Sequence, residues 1–263
     1  MQNSNTLTQM PEPVKVNVVS YGGVKPGLLV VGNGADGTKT TLFDAATATN
    51  GSYMFYQRSS LTSWNVNLPK LENGTDMFNS CARLASWNVD LPKLENGNQM
   101  FNGCAALTSW NVTLPELTNG NRMFYYCIYL ASWNGALPKL ENGTDMFGNT
   151  SLASWNVDLP NLTNGRNMFR NCARLASWNV ALPNLTNGTD MFDGCSLMAE
   201  SVTLILNSIP DRSAAGLAVA TLTIGKRTNF KTDPDVKELL GETGAEITAK
   251  TYSFKGWNVI VQN

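Results

Sequence analysis

The pair Met-Phe returns at Met54, Met77, Met100, Met123, Met146, Met168 and Met191, at intervals of 23 residues with one of 22. A chain that repeats at a fixed short period folds by stacking copies of one unit, so this period constrains the architecture before any single residue does. Aligned on that pair, the unit reads M-F-x-x-C-x-x-L-x-S-W-N-V-x-L-P-x-L-x-N-G-x-x, most cleanly from Met77 to Gln99. A short strand centred on Ser-Trp-Asn-Val alternates with period two, which turns Trp87, Val89 and Leu91 to one face and Ser86 and Asn88 to the other. One unit cannot bury its apolar side, but stacked copies can. With each copy adding a rung of about 4.8 Å, seven make a body about 30 Å long.

Leu84, Trp87, Val89, Leu91 and Leu94 have the L-x-x-L-x-L spacing of a leucine-rich repeat, with Trp in the second Leu place. Pro92 follows the strand, where its missing N–H costs no ladder bond, and Asn96-Gly97 supplies a turn in which Gly is expected at positive φ. Met100 and Phe101 then open the return segment and pack inward. Cys81, Cys104, Cys127, Cys172 and Cys195 share the fifth position of the unit. The first unit has Arg58 there, and the unit at Met146 lacks a residue between Phe147 and Leu152, where its Cys is expected to be missing. A thiol exchanged so freely reads as a small packed hydrophobe, not a nucleophile or ligand. Trp64, Trp87, Trp110, Trp133, Trp155 and Trp178 invite comparison with a sugar-binding ladder, but strand parity places them with Val and Leu in the core. Asn65, Asn88, Asn111, Asn134, Asn156 and Asn179 point outward, where hydrogen bonds between rungs are expected.

From Tyr53 to Leu197 the units resemble the BspA-like leucine-rich repeats of bacterial surface proteins, in which M-F-x-x-C-x-x-L-x-S is the recognisable core. The resemblance implies a leucine-rich-repeat solenoid with a parallel β-sheet and a role in adhesion to host or partner surfaces; similar arrays occur in gut bacteria and their phages. The expected organisation is a β-rich N-terminal module over residues 1–50, the array over 51–198 and an α/β C-terminal cap over 199–263. In the N-terminal part, Val14–Ser20, Gly27–Val31 and Thr38–Phe43 read as strands. The run from Gly32 to Gly37 is formally G-x-G-x-x-G, but Thr38-Lys39-Thr40-Thr41 continues as strand where a nucleotide site needs a helix, so it reads as a hairpin turn. In the C-terminal part, Glu200–Ile209 reads as a helix ended by Pro210, Ala220–Ile224 as a strand, Asp233-Pro234 as the start of a helix running to Leu240, and Trp257–Val261 as a final strand.

Composition narrows the function. The chain has no His, which removes the commonest general base and metal ligand. Nineteen basic against twenty acidic residues leave no long-range field for nucleic acid. No stretch approaches a membrane span, and the N-terminus has no basic and apolar leader pattern, from which export by the general secretory route is not expected. The acids Asp76, Glu95, Asp145 and Asp190 read as scattered on surface loops. No enzyme, cofactor or metal is therefore expected.

Recognition falls to positions that vary between units. Tyr125, Tyr126, Ile128 and Tyr129 replace Asn, Gly, Ala or Ser and form one candidate surface, while Arg166, Arg170 and Arg174 form a second, for an anionic partner. The expected partners are a protein or glycan on a cell surface and, through the N-terminal module, other virion proteins, with homotrimerisation left open. The expected setting is a phage tail, fibre or decoration protein, with a bacterial surface or secreted adhesin as the alternative.

Overall fold

The computed structural model describes residues 16–17, 28–33, 39–213, 218–224, 230–248 and 250–261. Strands β1 (Val16–Asn17), β2 (Leu28–Asn33) and β3 (Lys39–Asp44) form an antiparallel sheet in the order β1-β2-β3. Residues 34–38, which hold most of the Gly32 to Gly37 run and its expected turn, lie outside the described residues. Antiparallel pairing of Asn33 with Lys39 means that β3, not a helix, follows that run.

The repeats stack as expected, but each contributes a strand of only two residues, Ser-Trp. These are β4 (Ser63–Trp64), β5 (Ser86–Trp87), β6 (Ser109–Trp110), β7 (Ser132–Trp133), β8 (Ser154–Trp155) and β9 (Ser177–Trp178), which join as three parallel pairs. The Trp itself ends the strand. In all six units the indole N–H donates to the carbonyl two residues on, at 2.6–2.8 Å, which holds the backbone in a bend just past the strand. Alternation still sorts the side chains: Trp87, Val89 and Leu91 are buried, while Ser86 and Asn88 are exposed.

The unbroken ladder runs on another side of the unit. The Asn of each Asn-Gly pair forms a parallel bridge with its counterpart in the next rung, from Asn50 through Asn73, Asn96, Asn119, Asn142 and Asn164 to Asn187. In every one of these rungs the Asn side-chain oxygen also accepts the backbone N–H two residues on, at 2.9–3.2 Å, an Asx turn that bends the chain toward the following Met. Asn119 and Asn142 further donate their amides to the Asn oxygen of the preceding rung at 3.1 Å.

The glycine after each Asn does not take positive φ, contrary to the expectation for the turn. Left-handed backbone falls instead on the residue before each Met, such as Asp76, Gln99 and Arg122, and on the residue before the fifth position, such as Ser80, Gly103 and Tyr126. Glycine is needed for space: a Cβ on Gly97 would stand 2.6 Å from Sδ of Met123, and the same collision recurs at Gly51, Gly74, Gly120, Gly143 and Gly165.

Inside the stack the aromatic rings form two registered columns. Successive Trp rings lie 5.5–6.4 Å apart and successive Phe rings 5.2–6.0 Å apart, each nearly parallel to the next. Each indole from Trp64 to Trp178 meets the Phe of the following rung at 4.7–5.0 Å, edge to face. Such pairs contribute about 0.5–1.5 kcal/mol beyond the area they bury. The outward Asn column is looser, with one side-chain bond between its rungs among the described residues, Asn134 to Asn111 at 2.8 Å.

Past the last repeat, α1 (Ala199–Ser208) lies against the end of the Ser-Trp strands, where Ser201 Oγ accepts the N–H of Trp178 at 2.8 Å. Strand β10 (Ala220–Ile224) continues the Asn-Gly side: Leu222 bridges Gly188, and Thr221 O accepts the Gly188 N–H at 2.9 Å. Helix α2 (Pro234–Leu240) starts at Asp233, whose carboxylate accepts from the N–H groups of Asp235 and Val236. The hairpin β11 (Thr251–Phe254) and β12 (Trp257–Val261) completes a sheet ordered β10-β12-β11, with β11 absent from the sequence expectation.

The collision with Met123 should make Gly97→Ala destabilising by about 1–3 kcal/mol, the usual range for overpacking a full core. Chemical denaturation in a Met123→Ala background should remove most of that cost, because the colliding sulfur is gone. An equal cost in both backgrounds would return the glycine to a conformational role.

Candidate functional site

The buried cysteines are the first candidates that the structure removes. Each thiol donates to the carbonyl of the Phe in the preceding rung, from Cys81 on Phe55 at 3.1 Å to Cys195 on Phe169 at 3.2 Å. Burial pushes the thiol of Cys81 up to about 12 and that of Cys172 up to about 11, and it raises Cys104, Cys127 and Cys195 as well. The thiolate needed by a nucleophile or a soft metal is therefore suppressed near neutral pH. In the unit at Met146 the fifth position is not deleted. Thr150 fills it, buried with its Oγ1 3.2 Å from Cys172 Sγ, and the missing residue belongs to the turn between Thr150 and Leu152.

The acids are likewise committed to structure, and two of them are not on the surface as expected. Asp76 is 5% exposed and accepts the Asn79 amide; Asp145 is 7% exposed and pairs with Arg122 at 3.3 Å. Asp190 accepts from the Thr223 hydroxyl at 3.2 Å, whereas Glu95 is exposed. Among the described residues no three His, Cys, Asp or Glu side chains gather as a metal would need, and no helix is long and apolar enough to cross a membrane.

The aromatic group divides in two. Tyr125 is half-buried, lying across Gly148 of the next rung so closely that a Cβ there would come within 2.9 Å of its ring. Arg122 sits 5.8 Å above its face and Tyr126 meets it edge-on at 4.5 Å. Burial, then the neighbouring Tyr126, raise the Tyr125 phenol. Tyr126, Ile128 and Tyr129 remain outward at 50%, 40% and 62% exposure. Tyr126 holds left-handed backbone, φ 59°, where neighbouring units place Ser, Gly or Asn. A bulky aromatic there costs about 1–2 kcal/mol.

The next rung exposes these residues further. The turn that should cover Ile128 and Tyr129 is one residue short, reduced to Ser151, whose hydroxyl donates to Ile128 O at 2.7 Å. The outcome is a step in the loop edge with an apolar wall.

The three arginines differ in what they touch. Arg170 is engaged with Asp193 at 3.1 Å, and Arg166 is exposed on the turn that leads into Met168. Arg174 is exposed at the seventh position of its unit, the position of Tyr129 two rungs earlier. Arg83 holds that same position two rungs before Tyr129. Sequence reasoning missed it, though reading down the seventh position, not along the chain, would have found it.

A family model described as the BspA type leucine rich repeat region matches in six copies over residues 37–131 and 97–214. No curated protein and no solved structure matches the chain.

The thiol column makes a clear prediction. Iodoacetamide at pH 8 should modify none of the five cysteines in the native protein and all five in denaturant, counted by mass spectrometry. Rapid native labelling at Cys127 would contradict its burial and the packing of the column.

Proposed function

Because the chain belongs to the BspA-type leucine-rich-repeat family, we propose that it is a non-catalytic adhesion protein whose repeat stack presents a recognition surface on its loop edge. One observation carries this reading: Tyr126, Ile128 and Tyr129 stand exposed together at a step between rungs, on a scaffold whose core positions hardly change from unit to unit. Aromatic side chains clustered at a step suit a binding hot spot, since they offer large contact area for few rotatable bonds. The exposed arginines Arg166 and Arg174 are secondary contributors, and Tyr125 supports the patch from beneath.

The carrier we favour is a virion, with the array as a tail, fibre or decoration component and the β1–β3 sheet as its attachment end. A separate β-rich segment ahead of a self-stacking array suits that division of labour, and a trimer is compatible with it. A bacterial surface adhesin is the alternative carrier, and the loop-edge surface serves either.

Fluorescently labelled protein should adsorb saturably to target cells, and the Tyr126→Ser, Ile128→Ser, Tyr129→Ser triple variant should lose that adsorption while melting like the parent. Adsorption unchanged in the variant would contradict the assignment of the surface. Immunogold labelling of purified particles reads the carrier: signal on virions supports the first setting, and signal only on intact bacterial surfaces supports the second.

A further inference from the structure

The seventh position of the unit, read rung by rung, is Ser60, Arg83, Ala106, Tyr129, the shortened turn at Ser151, then Arg174. Two cations therefore flank the most exposed aromatic ring symmetrically, two rungs to either side. At a rung spacing of about 4.8 Å they stand about 19 Å apart, with Tyr129 midway. The sixth position alongside is Ser59, Ala82, Ala105, Ile128, Ser151 and Ala173, small or apolar throughout.

No acidic residue occurs between the fifth position and the Trp-Asn of any rung from Ser59 to Asn179, and the next acids along the chain after Arg174, Asp190 and Asp193, are engaged by Thr223 and Arg170. Neither Arg83 nor Arg174 takes part in an ion pair among the described residues, whereas Arg122 and Arg170 do. The edge is thus a local strip of positive charge and apolar surface on a chain whose net charge is −1. Bulk charge cannot draw a polyanion to such a chain; only a local arrangement can.

On the adhesion reading above, we infer that this strip binds an acidic polysaccharide laid along the stacking direction. The arginines take carboxylate or sulfate groups in forked hydrogen bonds, and Tyr129 with Ile128 supports the apolar face of an intervening sugar ring. The small side chains Ala82, Ala105, Ala106 and Ala173 leave the line between these contacts low enough for an extended chain to lie flat. A peptide adding as a strand is disfavoured, because part of the main chain along this edge is already bonded between rungs: Ala106 N–H to Ala82 O at 3.0 Å, Ser151 N–H to Leu130 O at 3.0 Å and Ser196 N–H to Leu175 O at 2.9 Å.

The test uses the full chain with three polymers: polygalacturonate, neutral dextran and poly-L-glutamate. Polygalacturonate should bind saturably and dextran should not, and raising the salt should weaken the interaction. Arg83→Ala, Arg174→Ala and Tyr129→Ala should each lower affinity for polygalacturonate about tenfold, and Lys93→Ala, an exposed cation off the strip, should leave it unchanged. All four sites are exposed, so melting temperatures should match the parent. Failure to bind polygalacturonate overturns the proposal, as does equal binding of poly-L-glutamate that is indifferent to Tyr129→Ala, or an equal loss in Lys93→Ala. A chain that adsorbs to target cells but ignores polygalacturonate would overturn this inference alone, and one that does neither would overturn the adhesion reading with it.

Discussion

Each rung depends on an indole held at two points. Its ring is clamped between the Phe of its own unit and that of the next, as Trp110 is between Phe101 at 5.1 Å and Phe124 at 4.7 Å, and its N–H is tied to the carbonyl two residues on. The first restraint fixes how far one unit lies from the next; the second ends the strand after two residues and turns the chain toward Leu and Pro. An indole N–H buried without an acceptor would cost about 1–3 kcal/mol, so the backbone bend and the satisfied donor are one solution to one problem. Met and Gly follow from the same constraint: with the rung spacing set by the rings, each Met thioether occupies the place where a side chain on the Asn-Gly glycine 25 or 26 residues earlier would lie.

A core built this way leaves little room for variation inside. Thiols are silenced by burial, and the inward acids are spent on Asn79 and Arg122. What remains variable is the outer loop edge, where a residue can be lost, as beside Thr150, without disturbing the Asn ladder that runs from Asn50 to Asn187. Tyr126 in left-handed backbone, and Ile128 and Tyr129 beside a shortened turn, are departures that the stack tolerates and does not require. That is the physical ground for assigning recognition to this edge.

The features legible in the sequence were those governed by period. The Met-Phe spacing, the alternation through Trp87, Val89 and Leu91, and the cysteine column are properties of one unit repeated. What escaped was set by contacts between units or by ring orientation. The two-residue strand depends on where an indole N–H points, which alternation does not report. Gly97 looked like a turn glycine because its reason, Met123, lies 26 residues away. Thr150 was hidden because a gap in an aligned unit can be placed on either side of a small residue. Asp76 and Asp145 looked exposed because acids usually are, and their partners emerge only once the rungs are in register. At the surface, the arginines at 166, 170 and 174 seemed to belong together along the chain, whereas stacking sends Arg170 to Asp193 and aligns Arg174 with Arg83.

The account stands on the indole clamp, and the most direct measurement is the equilibrium stability of Trp110→Ala in a chemical melt. Loss of a fully buried ring at the middle of the column should cost about 3–5 kcal/mol. A midpoint and slope unchanged from the parent would mean that the ring is not clamped in the core, and the order of the stack would need another cause.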